Sequence, residues 1–290
     1  MGIYTANRRW LYCHAFRITT AVFSTVAIST FPFDWTKAFS SIGGLCRILI
    51  GCGIFIGLYS LVLVVHLVYL AKVKERTIYT DRAGHTVKVR FGDLLGQSTN
   101  IERQSVRSIV IPVNRCFDCI VDDKLIASSS LHGQVLSRIY KKSTFSPESL
   151  HLEIQERLSG CEYAELSRDQ KPVGNLRRYS VGTTALICCD RQRYFLFGLS
   201  SFDKNLKAST SKNDYTIAVQ KLFEFCDSNA QGGQVFMPVI GTGLSRAIKD
   251  KNNAIKYLVN TAILNDELLS YDLVLVVPER DRCSISITNI

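Results

Sequence analysis

The strongest chemical signal lies in the run Gln234-Val-Phe-Met-Pro-Val-Ile-Gly241-Thr242-Gly243-Leu244-Ser245-Arg246, a predicted strand that enters a glycine-flanked turn and then a helix. Gly241 and Gly243 can take left-handed backbone angles and turn their N–H groups outward. Thr242 and Ser245 add hydroxyls. A strand-to-helix turn at the carboxyl edge of a sheet is where α/β proteins hold phosphate, so the stretch from Gly241 through Leu244 to Arg246 reads either as an anion cradle or as a structural tight turn. It is not a P-loop, because no Gly-Lys-Ser/Thr follows, nor a GxGxxG fingerprint, because Ser245 and Arg246 stand where that pattern wants small residues. Asp93, in Phe91-Gly92-Asp93-Leu94-Leu95, is a ligand carboxylate or an ordinary turn residue, and Asn114, ending Ser108-Ile-Val-Ile-Pro-Val-Asn114, is a ligand amide or a strand-end amide bonded to local backbone. Asp118 and His132 are further candidates, against a helix-capping Asp and a solvated or capping His. Cys116-x-x-Cys119 is the only pair with metal or redox spacing, and with no second CxxC or HxxxH to complete four ligands it is read as ordinary buried thiols, so no metal is expected.

These residues need a scaffold of alternating elements. A hairpin is predicted from Thr77–Thr80 and His85–Arg90 around Asp81-Arg82-Ala83-Gly84, then a strand at Ser108–Val113. Helices follow at about His132–Lys141 and Pro147–Leu158, the second opened by Ser146 at its N-cap. After a polar stretch from Arg168 to Asn175 come strands at about Val181–Cys189 and Tyr194–Leu199, a helix at Asp214–Ser228, a strand ending at Val239, a helix at Lys249–Leu264 and a buried strand at Leu273–Val277. Strands first, then alternating helix and strand, imply an α/β fold with a mixed sheet covered by helices.

Ahead of this domain the chain changes character. Its 290 residues carry 35 Lys plus Arg against 25 Asp plus Glu, for a net charge of +10, with 47% apolar and 21% charged residues, which excludes a disordered chain. From Ile48 to Ala71 no Asp, Glu, Lys or Arg occurs, and at about 1.5 Å per residue a helix of that length crosses a bilayer. A second span is expected at about 15–33. Region 1–71 is thus a two-span membrane region and 72–290 a cytoplasmic domain with a short basic linker at its start. Arg8 and Arg9 before the first span, and Lys72, Lys74, Arg76 and Arg82 after the second, put both termini in the cytoplasm and the protein in the inner membrane. The same basic cluster suits anionic lipid headgroups, which removes the need for nucleic acid to explain the charge. Gly53-x-x-x-Gly57 with Gly51 is a self-association face or incidental glycine, and Arg17 and His66, costly in hydrocarbon, line a pore or a polar helix contact or, being near span ends, snorkel, which is the expectation.

The soluble part resembles a macro domain. Gly92-Asp93 sits like that family's Gly-Asp-Ile-Thr, Ile109 to Asn114 like its Ile-Val-Asn-Ala-Ala-Asn, and Gly241-Thr242-Gly243-Leu244 like its second diphosphate loop. The resemblance implies adenine at Asp93, distal ribose at Asn114 and diphosphate at the glycine loop. A closer resemblance, over the whole chain, is to the macro-domain effectors of Thoeris antiphage defence, carried by Val113-Asn114-Arg115-Cys116-Phe117-Asp118, Ser130-Leu131-His132-Gly133-Gln134, Tyr179-Ser180-Val181-Gly182-Thr183 and Pro238 to Leu244. It implies abortive infection: a TIR-domain partner makes an ADP-ribose derivative, histidine-linked, which the macro domain senses before a homo-oligomer of the spans disrupts the membrane. The glycine-rich loop of hydrolytic macro domains is replaced after Asn114 by Arg115-Cys116-Phe117-Asp118, and an adenine-stacking aromatic by Pro278-Glu279-Arg280. Binding without catalysis is therefore expected, the alternative being a membrane-anchored hydrolase with Asn114 placing substrate and Asp118 as base.

Overall fold

The computed structural model describes residues 2–30, 41, 43–96, 107–189, 192–243, 247–265 and 269–290. They divide into two compact units: the segment ending at Lys74 together with Arg280–Asn289, and Glu75–Glu279 together with Ile290. The soluble region was expected to run unbroken to 290; instead Arg280–Asn289 groups with the N-terminal helices.

The first unit is built on helices α1 (Gly2–Ser29) and α2 (Gly44–Lys72), both long and apolar enough to cross a membrane by length and composition. The first begins well before the expected start near residue 15, and expected span residues 31–33 lie outside the described residues. α1 buries Asn7, Leu11, Ala15 and Thr19, a stripe at i+4 spacing that lies along one helix face. The pair is antiparallel, because Trp10 and His14 meet His66 (5.4 and 5.3 Å between ring centroids) while Phe23 meets Phe55 at 5.5 Å. His66 is half-buried in this aromatic cluster, the polar helix contact weighed against snorkelling, and its Nδ1 lies 2.8 Å from the Val62 carbonyl. Arg17 is exposed. Most of α2 faces outward, and a Cβ built at Gly51, Gly53 or Gly57 would meet no atom within 4 Å.

The second unit is a mixed sheet flanked by helices. Its strands are β1 (Glu75–Thr80), β2 (Thr86–Phe91), β3 (Arg107–Asn114), β6 (Thr184–Cys189), β7 (Gln192–Phe202), β8 (Ala208–Ser209), β9 (Gln234–Pro238) and β10 (Asp272–Val277), in the order β1-β2-β10-β9-β3-β7-β6 with β8 beside β7. β4 (Tyr163–Glu165) and β5 (Arg177–Tyr179) form a separate ribbon around the polar stretch. Helices α3 (Leu131–Lys142) and α4 (Pro147–Arg157) supply Val135, Leu136, Ile139, Leu150 and Ile154 to one core with Ile109, Ile111 and Val113 of β3. Helix α5 (Lys212–Ala230) packs on β7 and β9, and α6 (Lys251–Leu264) on α5. Each starts where its N-cap was affordable: Ser130, Ser146, Ser211 and Asp250 accept from the backbone N–H of the third helical residue.

Candidate functional site

Adjacent strands β2, β10, β9, β3 and β7 are parallel pair by pair, so all five carboxyl ends open at one edge. From that edge emerge Gly92-Asp93, Asn114, Val239 to Gly243 and Pro278-Glu279, the layout in which α/β sheets bind ligands. Pro112 helps open it. β3 pairs with β9 only at Ser108 and Ile109, and Pro112, which has no N–H to give, lies in the stretch where that ladder has stopped. The loops after β3 and β9 therefore part from each other.

Asp93 is exposed in a tight turn whose Gly92 N–H bonds the Val277 carbonyl at 2.9 Å, and its Oδ1 accepts from Leu95 N–H at 3.0 Å. Two arginines hold the turn from behind. Arg107, buried and stacked 4.1 Å from the Phe236 ring centroid, donates to the carbonyls of Leu94 and Gly96, and Arg138 donates to that of Leu95. Burial, with Arg138 and Arg90 nearby, lowers the Arg107 pKa from its ordinary value.

Asn114 is buried, and its Oδ1 accepts from Cys116 N–H at 3.0 Å, the local-backbone bond anticipated as an alternative to ligand contact. The loop that follows contains no glycine and is tied down by hydrogen bonds. Arg115 N–H bonds the Ser200 carbonyl at 2.8 Å and its Nε the Tyr179 carbonyl at 2.8 Å. Phe117 takes a left-handed φ of 49°, tolerated because its buried ring packs edge-on to Tyr179 at 5.5 Å. Asp118, expected at the ligand or as a base, is instead sealed in an ion pair: its oxygens lie 2.7 and 3.0 Å from Lys171 Nζ, and Oδ1 also accepts from Asn175 N–H at 2.7 Å. The two side chains are 0% and 2% exposed, and Gly174, with φ +84°, covers them so closely that a Cβ would fall 2.3 Å from Asp118 Oδ1. Asn175 Nδ2 donates in turn to the carbonyls of Cys116 and Phe117. Beside this loop a cleft of about 290 Å³ is lined by His151, Gln155, Arg168, Asn175 and Arg177.

His132 is neither solvated nor the cap; Ser130 caps α3, and burial pushes the His132 imidazolium down to about 3, so the ring is neutral across the physiological range. Burial likewise pushes the Cys116 and Cys119 thiols up to about 11 and about 12, which keeps them protonated and poorly nucleophilic. Among the described residues no group of three metal-ligating side chains occurs.

At the β9 loop, Gly241 has φ +91° and its Cα faces Tyr215, where a Cβ would fall 2.5 Å from the ring. Tyr215 is buried with its hydroxyl donating to the Ile240 carbonyl at 3.1 Å, and Thr242 Oγ1 donates to the Val239 carbonyl at 3.2 Å. Gly243, by contrast, has open space where its Cβ would be. Leu244, Ser245 and Arg246 lie outside the described residues.

The model of the family described as Thoeris protein ThsA, Macro domain, matches residues 87–277, from the second residue of β2 to the last of β10. The chain belongs to the Thoeris ThsA macro-domain family. A Thoeris protein ThsA of Bacillus amyloliquefaciens (strain Y2) is 25% identical over 246 residues, which are 83% of this chain and 72% of that protein. A solved Oceanobacillus iheyensis macrodomain with MES bound is 17% identical and covers 72% of this chain and 92% of that one at a TM-score of 0.39. The ThsA macro domain thus brings Asp93, Asn114 and Gly241 to Gly243 to one edge and turns Asp118 inward. Lys171, Asn175, Arg107, Arg138 and Tyr215 hold these loops in place. No motif announced them: Lys171 and Asn175 stood in the polar stretch from Arg168 to Asn175, and Tyr215 in a predicted helix.

Proposed function

We propose that this protein is a ligand-gated membrane effector of Thoeris defence. Its macro domain binds an ADP-ribose derivative, histidine-linked and made by a TIR-domain partner, with Asp93 at the adenine, Asn114 at the distal ribose and the Gly241 to Arg246 loop at the diphosphate. His132, neutral and buried, lies at the start of α3 and offers a donor and an acceptor rather than a charge. Both termini are cytoplasmic, the two helices cross the inner membrane, and ligand drives self-association through Gly51, Gly53 and Gly57, whose outward faces have no intramolecular partner within 4 Å. The observation that carries the reading is the single edge where a carboxylate, an amide and a glycine turn emerge from parallel strands in a chain that also carries two spanning-length helices.

The competing hydrolase needs a free base, and Asp118 has both oxygens engaged by Lys171. Calorimetry of ADP-ribose and its histidine adduct with the full chain in detergent, with the ligand recovered for mass analysis, tests the proposal. Binding of unchanged ligand that is lost in Asp93→Ala and Gly243→Glu is the expected result. Cleaved ligand would promote the hydrolase, and no heat from either nucleotide would leave the protein as a membrane anchor.

A further inference from the structure

Apart from its last residue, Ile290, which groups with the second unit, the chain passes between its two units at Lys74 to Glu75 and at Glu279 to Arg280. Both crossings use one corner of the sheet. β1 runs antiparallel to β2 with Glu75 opposite Arg90, and β10 runs parallel to β2 with Val277 opposite Phe91, so the first residue of β1 and the last of β10 flank the end of β2. Gly92 and Asp93 leave the sheet at that same end. The corner is bonded together: Arg90 is paired with Glu75, and Gly92 N–H with the Val277 carbonyl.

Past the second crossing the chain forms a short 3-10 helix, Glu279–Ser284, from which Arg282 reaches the last carbonyls of α2, at 3.3 Å from Leu70, 2.8 Å from Ala71 and 2.8 Å from Val73. A helix end leaves its final carbonyls without intrahelical donors and carries partial negative charge, so a guanidinium there is doubly favoured. Further on, the chain takes hold of α1. Asn7, fully buried, accepts at one amide oxygen from Ser286 Oγ (3.0 Å), Thr288 Oγ1 (2.7 Å) and Thr288 N–H (3.3 Å), while its Nδ2 donates to the Ile3 carbonyl at 2.8 Å. Ile285 and Ile287, on either side of Ser286, are each 1% exposed. The Asn7 amide, beside Arg8 and Arg9 but on the buried stripe of α1, is thus satisfied by partners 279 and 281 residues away in sequence.

We propose that residues 282–288 are a strap that transmits ligand occupancy at the Asp93 corner to the helix pair. It grips α1 at Asn7 and α2 at its last turn, and it continues directly from the strand end that bonds Gly92. The transmission half rests on the sensor reading above; the strap itself does not.

Hydrogen–deuterium exchange on the full chain in lipid nanodiscs tests both, using wild type, Asn7→Ala, Arg282→Ala and, as a control on the same helix turn with no strap bond, Thr5→Ala. Peptides covering 282–288 should be protected in wild type and in Thr5→Ala and exchange at least about tenfold faster in the other two, since each loses bonds that close this segment. ADP-ribose or its histidine adduct should alter that protection in wild type. In Asn7→Ala and Arg282→Ala, nucleotide affinity should stay within about twofold while nucleotide-induced leakage of dye-loaded vesicles falls at least about tenfold. Free exchange of 282–288 in wild type, undiminished leakage in the variants, or leakage without nucleotide would each overturn the strap. Failure of wild type to bind either nucleotide would sink the sensor reading and the transmission together, whereas binding with unprotected or uncoupled 282–288 sinks the strap alone.

Discussion

Replacing Lys171 by Met keeps the volume of the side chain and removes all three of its bonds, to both oxygens of Asp118 and to the Asn175 carbonyl. What remains is a carboxylate 2% exposed with Asn175 N–H still bonded to it. Breaking a buried pair from one side costs about 3–5 kcal/mol, because the surviving charge keeps its desolvation penalty and loses its Coulomb compensation. For a domain of this size each kcal/mol moves the melting temperature by about 2–4 °C, so the full chain in detergent should melt about 6–20 °C lower by calorimetry. Asp118→Leu alone should cost as much, since it strands a lysine that is 0% exposed. The double variant should not cost their sum. With both charges gone, the residual loss is the Asn175 N–H and carbonyl left without partners, about 1–3 kcal/mol. A Lys171→Met loss below about 2 °C, or a double variant that falls by the sum of the singles, would refute the claim that this pair closes the loop.

At the β9 turn, Gly241→Ala should cost about 2–4 kcal/mol, from a left-handed φ and a Cβ driven into Tyr215, whereas Gly243→Glu should melt like wild type and lose at least about tenfold in nucleotide affinity. The His132 pKa is lowered by burial from 6.5 to about 3, so the unfolded chain binds the extra proton: its contribution is complete above pH 6.5 and is lost as pH falls toward 3. Between pH 8 and pH 5.5 that is about 1.4 kcal/mol, measurable as a Tm slope that flattens in His132→Asn, while His151, also lowered by burial, keeps a residual slope. Gly53→Ile and Gly57→Ile should leave folding and nucleotide affinity unchanged, since a Cβ at either position would point into open space, and should lower ligand-induced oligomer size in crosslinking.

The parts of the fold that were legible obey local rules. Unbroken apolar runs gave α2 and β10, alternation gave β2, and Ser146 with Pro147 marked the start of α4, because each signal is a property of neighbours in the chain. The bonds of Asn7 and of Asp118 were illegible for the opposite reason. Asn7 with Thr288, and Asp118 with Lys171, are partners only through the tertiary fold, and Ser286 or Lys171 taken alone reads as solvent-facing. The neighbours of His66 were hidden on the same ground, since nothing in the sequence pairs it with Trp10 and His14 of the other helix. At the edge, Asp93, Asn114 and Gly241 were visible because strand-end turns draw on few residue types, but which atoms stay available depended on bonds such as Asn114 Oδ1 to Cys116 N–H.

The loop after Asn114 bears directly on whether this domain turns over what it binds. A hydrolytic loop must adapt to place water against a ribose carbon as charge develops, and glycines give it that freedom. Here the same position is occupied by a left-handed Phe117 wedged under Tyr179, by Arg115 bonded to two neighbouring segments, and by a carboxylate locked to a buried lysine. Freezing a loop removes its entropy before ligand arrives, which raises affinity and lowers adaptability together. Under the proposed sensor reading, that exchange suits a receptor, whose output is occupancy, and detection of cleaved ligand in the recovered sample would overturn it.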